Sequence, residues 1–267
     1  MILIFSGIGA TRMYADQAMM TLTLNGFLNS LRQQKDKDFR LFLSYHNLPD
    51  VKMDDAFIEL CPMGVDLETA MTKIPKARPM KVTDEVAYRS VPYESGIDDL
   101  SRKIENSVIM AARWASQHGL KEFWMLRMDS DDLLANDTIK NIHDFDGIGA
   151  RAVFNRKCHM FDPKNREIAI HRYPYSTTCH GLKFVINNDG TLKPDWYYLC
   201  MDHTLFYSRV QRDKIPVKEL DFAYCIVTNS GNSLSGRPEI SRERYCEKIP
   251  LTKELIDRYG IWINQGS

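Results

Sequence analysis

The sequence predicts an α/β fold, with a mostly parallel central sheet in its first half and a hairpin-rich second half. Three observations carry that prediction. A strand, an amphipathic helix and a second strand follow one another within the first fifty residues, an order that implies parallel pairing. The nearly unbroken apolar run Phe123-Trp124-Met125-Leu126-Arg127-Met128 reads as a strand covered on both faces. Beyond residue 150 the elements shorten and turn sequences replace the connecting helices.

Residues 2–6 are apolar and stop at Gly7 and Gly9, which marks a buried first strand and a turn. Met20, Leu24, Phe27, Leu28 and Leu31 then recur with the stripe of an amphipathic helix, closed by the polar run 32–38. Residues 39–44 form the second strand, ended by Asn47, Pro49 and Asp50. The next stretch is less regular: a strand over 56–60, a short helix over 66–74, and loops over 75–79 and 91–96. From 101 to 118 a helix is expected, with Ile104, Val108, Ala111, Ala112 and Ala115 on one face and Gly119 as its stop.

In the second half, Asp162-Pro163-Lys164-Asn165 and Asn188-Asp189-Gly190 are turn sequences between short apolar segments. One hairpin is expected over 152–172, another from 182–186 to an aromatic strand over 196–199. A final helix is expected over 251–259. The reading is of a single domain over 1–267, with halves at 1–145 and 146–267.

Composition narrows the function. Lys+Arg and Asp+Glu each total 35, so the chain has no basic surplus to draw it to phosphate backbones, and nucleic acid is excluded as the expected partner. The six cysteines, at 61, 158, 179, 200, 225 and 246, lack the density of a disulfide scaffold and are expected reduced. The apolar start is too short for a signal peptide, and no later stretch has the length of a membrane span. A soluble, cytoplasmic protein is expected, with at most peripheral membrane contact.

The chemistry concentrates at Asp129-Ser130-Asp131-Asp132, directly after the buried strand. Like charges this close raise one another's pKa unless a cation shares them. Mg²⁺ or Mn²⁺ resolves the conflict, because both take oxygen ligands and share their sphere with phosphates. Ligands of parallel α/β sheets bind beyond the carboxyl ends of the strands, where this cluster would stand. The bland alternative is that Asp131 or Asp132 caps a helix over 133–142. A calcium loop is excluded, since Leu133 and Leu134 occupy its fifth and sixth positions.

Two blocks resemble a known family. Leu28-Asn29-Ser30-Leu31, Gln33 or Gln34, and Asp38-Phe39-Arg40-Leu41 look like the opening of family-2-type inverting glycosyltransferases, where a helix ending in S-L-x-x-Q leads into the second strand. The helix over 101–117 followed by Trp124-Met125-Leu126-Arg127-Met128-Asp129-Ser130-Asp131-Asp132-Leu133 resembles their aspartate-x-aspartate block, and is closest to the putative rhamnosyltransferase group. The likeness covers about residues 1–145. Ser6-Gly7-Ile8-Gly9-Ala10-Thr11-Arg12 and Ser44-Tyr45-His46-Asn47 depart from the family's nucleotide loops and leave the base unspecified.

The resemblance implies a GT-A-like fold, with a Rossmann-like nucleotide half and an irregular acceptor half. It implies a nucleoside-diphosphate sugar as donor, a glycan, lipid-linked or protein acceptor, and Mn²⁺ or Mg²⁺ as cofactor. Asp129 and Asp131 would bind the metal or the donor's ribose and diphosphate. Arg102 and Lys103 would lie near the donor, and Gly7, Arg12 and Ser44 are nucleotide candidates by position. Inverting transfer needs a base for the acceptor hydroxyl. Asp202, after the aromatic segment 196–199, is the first candidate; Asp221 and Glu219 follow. His203 could assist or ligate the metal, and Asp202 could instead cap a helix over 204–210.

Three competing readings remain. A nucleotidyltransferase acting on sugar phosphates shares metal and nucleotide, but needs a Gly-rich basic loop where this chain has Arg12 alone. A non-catalytic GT-A-like domain would bind sugars or proteins. Cys158-His159, Cys179-His180 and Cys200-x-x-His203 offer zinc ligands, without any C-x-x-C pair.

Overall fold

A computed structural model of the protein describes residues 1–8, 17–45, 48, 50–63, 73–75, 88–90, 96–172, 179–200, 203–227 and 246–262. The chain runs β1 (Ile2–Gly7), α1 (Gln17–Arg32), β2 (Phe39–Tyr45), β3 (Ile58–Pro62), β4 (Lys73–Pro75), β5 (Tyr88–Ser90), α2 (Gly96–Gln117), β6 (Glu122–Arg127), β7 (Leu133–Leu134) and α3 (Thr138–Gly147). It continues as β8 (Ala152–Phe154), β9 (Lys157–Asp162), β10 (Glu167–Arg172), β11 (His180–Ile186), β12 (Leu192–Lys193), α4 (Tyr197–Cys200), α5 (His203–Arg212), β13 (Val217–Glu219), β14 (Tyr224–Val227), β15 (Cys246–Ile249) and α6 (Lys253–Tyr259).

The central sheet has the order β13-β8-β11-β6-β1-β2-β3, with β12 beside β11. β1 pairs in parallel with both β2 and β6, and β2 with β3. β11 runs against β6 and β8, while β13 follows β8 in parallel. The fold is therefore mixed α/β with a mostly parallel sheet. Alternation along β1 shows how its faces are used. Ile2, Ile4 and Ile8 pack with Leu24, Phe27, Leu28 and Leu31 of α1. Leu3 and Phe5 pack with Ile104, Val108 and Ala112 of α2 on the other face. Burial on both faces is why β1 and β6 carry apolar residues without alternation.

A second sheet, in the order β15-β10-β9-β14-β7, lies on the α1 side. Cys158, Met160, Tyr224 and Ile226 of this sheet join the α1 core. Its other face meets α6 through Phe161, Ile168, Cys225 and Tyr259. Thr252 caps α6 by accepting from Leu255 N, and Gly260, at φ 64°, ends it in the left-handed conformation. The chain beyond α6 returns to α1, where Gly26 makes room for Trp262: a Cβ at Gly26 would lie 1.9 Å from the indole ring.

Several expectations change. The helix expected over 133–142 is two elements: Leu133 and Leu134 pair with Cys225 and Tyr224 as β7, and α3 begins only at Thr138. The strand expected over 196–199 is replaced by the helical turn α4 at Tyr197–Cys200, with Trp196 and Leu199 both buried. α2 starts five residues earlier than its clear stripe, at Gly96. Lys73 and Ile74, placed in a short helix, lie in β4, while 66–72 fall outside the described residues, as do 76–79 and 91–95. The division at 145/146 is not a division between sheets, because β8, β11 and β13 complete the sheet that β1 begins. Among the described residues no helix is long and apolar enough to cross a membrane.

Candidate metal centre

The chain passes from the central sheet to the second sheet through Met128–Asp132, and four backbone or hydroxyl bonds shape that passage. Met128 N donates to Phe5 O at 3.2 Å, carrying the parallel ladder one step past β6. Asp132 N donates to Asp129 O at 3.3 Å, closing a turn. Ser130 Oγ donates to Gly7 O at 2.9 Å, tying the turn to the end of β1. Asp132 Oδ1 accepts from Val227 N at 3.1 Å, tying it to the end of β14.

The result is convergence of like charge. One carboxylate oxygen from each of Asp129, Asp131 and Asp132 lies within 4.8 Å of the others. At that separation each pair repels by about 3 kcal/mol near a protein surface, less where solvent reaches Asp129 and Asp131. Asp132 is only 5% exposed. Asp129 Oδ1 is shut off from solvent and has no hydrogen-bond partner. A buried anionic oxygen left without a partner costs free energy that a bound cation would recover. The donor set is all hard oxygen, which suits Mg²⁺ or Mn²⁺ rather than zinc. The helix-cap alternative fails on structure: Leu133 and Leu134, which follow the cluster, are strand, and α3 is flanked by Asp137.

The strand order reverses between β1 and β6, so a crevice is expected beyond their carboxyl ends. α2 points its first turns there. Ser107 Oγ contacts Ser6 O and Ser44 Oγ, each at 2.8 Å, at the carboxyl ends of β1 and β2. Trp114 lies under Arg40, near the start of β2. Lys103, one turn before Ser107 on the same helix face, therefore stands past the ends of these strands, and it is fully buried. Arg127, the last residue of β6, lies in register with Phe5 and His180. Its Nη1 donates to Leu199 O at 3.4 Å, so α4 adjoins the motif strand. Cys179 lies near Asp132; burial first, and then that carboxylate, push its thiol well above the usual range.

The structure brings carboxylate oxygens of Asp129, Asp131 and Asp132 together, with Asp132 tied to β14. Gly7 also reaches the site, through its carbonyl. Ser44 does not face a ligand space: it is fully buried and accepts from Asn106 Nδ2 at 2.9 Å, because its strand end lies beneath α2. Asp221 is not brought to the cluster. It is exposed and paired with Lys157 at 3.3 Å, ahead of β14, whose far end meets Asp132 a strand length away, about 10 Å. Glu219 is likewise taken, by Arg156 at 2.9 Å. Arg12 and Asp202 lie outside the described residues, as do the side chains of Arg102 on α2 and of His203, the first residue of α5. The zinc alternative finds no support among the described residues, where the aspartate trio is the one ligand grouping. His159 is instead bonded through Nδ1 to Tyr259 Oη at 2.7 Å, and burial lowers its pKa to about 4.

Sequence reasoning missed Ser130, Arg127 and the supports of the loop's far side, since their partners are distant in the chain. No protein-family model matches the chain, and no curated protein matches it with significance.

Proposed function

We propose that the protein is a metal-dependent glycosyltransferase of the GT-A kind, moving a sugar from a nucleoside-diphosphate donor to a hydroxyl of a glycan, lipid-linked or protein acceptor. The observation that carries this reading is the partnerless Asp129 Oδ1 inside a three-carboxylate cluster, set where the order of a mostly parallel sheet reverses. The likeness of both sequence blocks to inverting family-2-type enzymes, and to the putative rhamnosyltransferase group in particular, supports the sugar chemistry.

Asp129 and Asp131 would hold Mn²⁺ or Mg²⁺, while Asp132 holds the loop to β14. The cation supplies charge neutralisation for the departing diphosphate. The first turns of α2 bring a helix N-terminus toward the same crevice, and Lys103 lies on them; Arg102 is a donor-binding candidate from the sequence alone. Asp202, the first base candidate from the sequence, would accept the acceptor's proton as its oxygen attacks the anomeric carbon.

Calorimetric titration with UDP, GDP and dTDP, each with and without Mn²⁺, tests the reading. One nucleotide is expected to bind in a metal-dependent way. Absence of metal-dependent binding for all three overturns it.

A further inference from the structure

The S-L-x-x-Q segment at the end of α1 has no place in the proposed chemistry, yet its polar side chains are buried against the chain that follows the acidic cluster. Ser30 is 0% and Gln34 1% exposed. Ser30 Oγ donates to Phe27 O at 2.7 Å and accepts from Leu134 N at 3.0 Å. Gln34 Nε2 donates to Ala135 O at 2.8 Å and to Ser30 O at 3.1 Å, and its Oε1 accepts from Ile139 N at 3.3 Å. Lys35 N adds a bond to Asn136 O at 2.7 Å.

Each bond answers a need left by the neighbouring fold. β7 is an edge strand, paired with β14 alone, so its outward amide at Leu134 is buried and requires a partner. α3 has Asp137 at its N-cap without a side-chain capping bond; that carboxylate is turned to Arg258 at 3.3 Å. Gln34 therefore caps α3 from the turn that follows α1.

We infer that Ser30 and Gln34 are positioning residues that set the cation affinity of the acidic cluster without touching its carboxylates, an inference that rests on the metal-site reading above. The cluster is a short span fixed at both ends. Its upstream end is held by β1 through Phe5 and Gly7. Its downstream end is held by β14, by Ser30 of α1 and by Gln34 just beyond that helix. Asp131 is three residues from Leu134, so the placement of β7 sets where the carboxylates converge. Loss of an outer support of this kind lowers metal affinity by about 10-fold or more.

The test is Mn²⁺ affinity, read from the electron paramagnetic resonance of free Mn²⁺, for the full chain and four variants held well below their melting temperatures. Gln34→Met keeps length but loses all three bonds, and Ser30→Ala loses both of its own; each is expected to weaken Mn²⁺ about 10-fold. Ser30→Thr keeps a hydroxyl and is expected to bind like the unaltered protein, which preserves the test should Gln34→Met not fold. Phe184→Leu trims a fully buried ring stacked on Phe123 near the opposite end of β6, and serves as the stability control. It is expected to lower the melting temperature without changing Mn²⁺ affinity. Unchanged affinity in Gln34→Met and Ser30→Ala, or equal weakening in Phe184→Leu, overturns the positioning role while leaving the metal site intact. Failure of the unaltered protein to bind Mn²⁺ overturns both.

Discussion

The two ends of β6 handle charge in opposite ways. At its amino end, Glu122 receives Lys183 at 2.7 Å and the guanidinium of Arg151, and Lys183 also reaches Asp146 at 2.6 Å. Two carboxylates meet two cations there, and the bonds from Lys183 and Arg151 hold the Glu122 carboxyl below its usual range. At the carboxyl end three carboxylates converge within 4.8 Å, and one buried oxygen is left over. The first arrangement is self-sufficient. The second gathers like charge around a buried oxygen without a hydrogen-bond partner, and that difference separates a stabilising network from a candidate site on one strand.

The largest effect expected from this contrast is on metal binding. Asp131→Ala removes one of the three carboxylates and is expected to reduce Mn²⁺ affinity about 100-fold, beyond the loss typical of an outer support. Its melting temperature should stay within a few degrees of the parent, since the segment that follows the cluster, Leu133–Leu134, is a strand and not the helix that Asp131 would cap. Calorimetry and a thermal melt on the same sample check both halves. Global unfolding of the variant would return the cluster to a structural role.

The balanced end should respond the other way. Lys183→Met leaves Glu122 and Asp146 without their shared, nearly buried partner, and is expected to cost about 1–2 kcal/mol, discounted because both carboxylates are partly exposed. Mn²⁺ affinity should not change. The pH dependence follows from the sign of the Glu122 shift. Its folded pKa lies below the ordinary 4.5, so its contribution is present above that value and is lost as pH falls through the folded pKa. Urea melts between pH 6 and 3 should therefore show the gap between parent and Lys183→Met narrowing in acid. A constant gap would remove the ion pairs as its cause.

How much of this was legible in the sequence depended on how local each cause was. β1, α1, β2 and β6 were readable because burial on one or two faces imprints a period on consecutive residues. Residues 133–142 misled because Asp131 and Asp132 ahead of them read as a helix N-terminus, whereas pairing with β14, some ninety positions away, makes Leu133 and Leu134 a strand. The aromatic segment at 196–199 suggested a strand by propensity. The turn-spaced burial of Trp196 and Leu199 decides for a helix. In the site, the acidic residues were visible and their supports were not. Asp132 meets Val227, ninety-five positions on, and Gln34 meets Ala135, one hundred and one positions on. Ser30 and Gln34 were on view throughout, but a polar residue at the end of an apolar helix stripe does not declare its partner.

The smallest expected effect sharpens the comparison most, because its sign reverses with the guest. Asp129→Asn removes one charge from the cluster while keeping the side chain's size. Without metal, it relieves repulsion of about 3 kcal/mol per pair before solvent screening. A net gain of about 1 kcal/mol, or roughly 2–4 °C in melting temperature for a domain near this size, is expected. With Mn²⁺ in large excess the order should invert. The parent then gains RT ln(1 + [L]/Kd), about 2.7 kcal/mol at one hundred times Kd, while the weakened variant gains less. Paired thermal melts with chelator and with Mn²⁺ read the crossing directly. Parallel behaviour of parent and variant in both conditions would mean that the charge at Asp129 is offset within the fold itself, as it is at Glu122, and the distinction between the two ends of β6 would be lost.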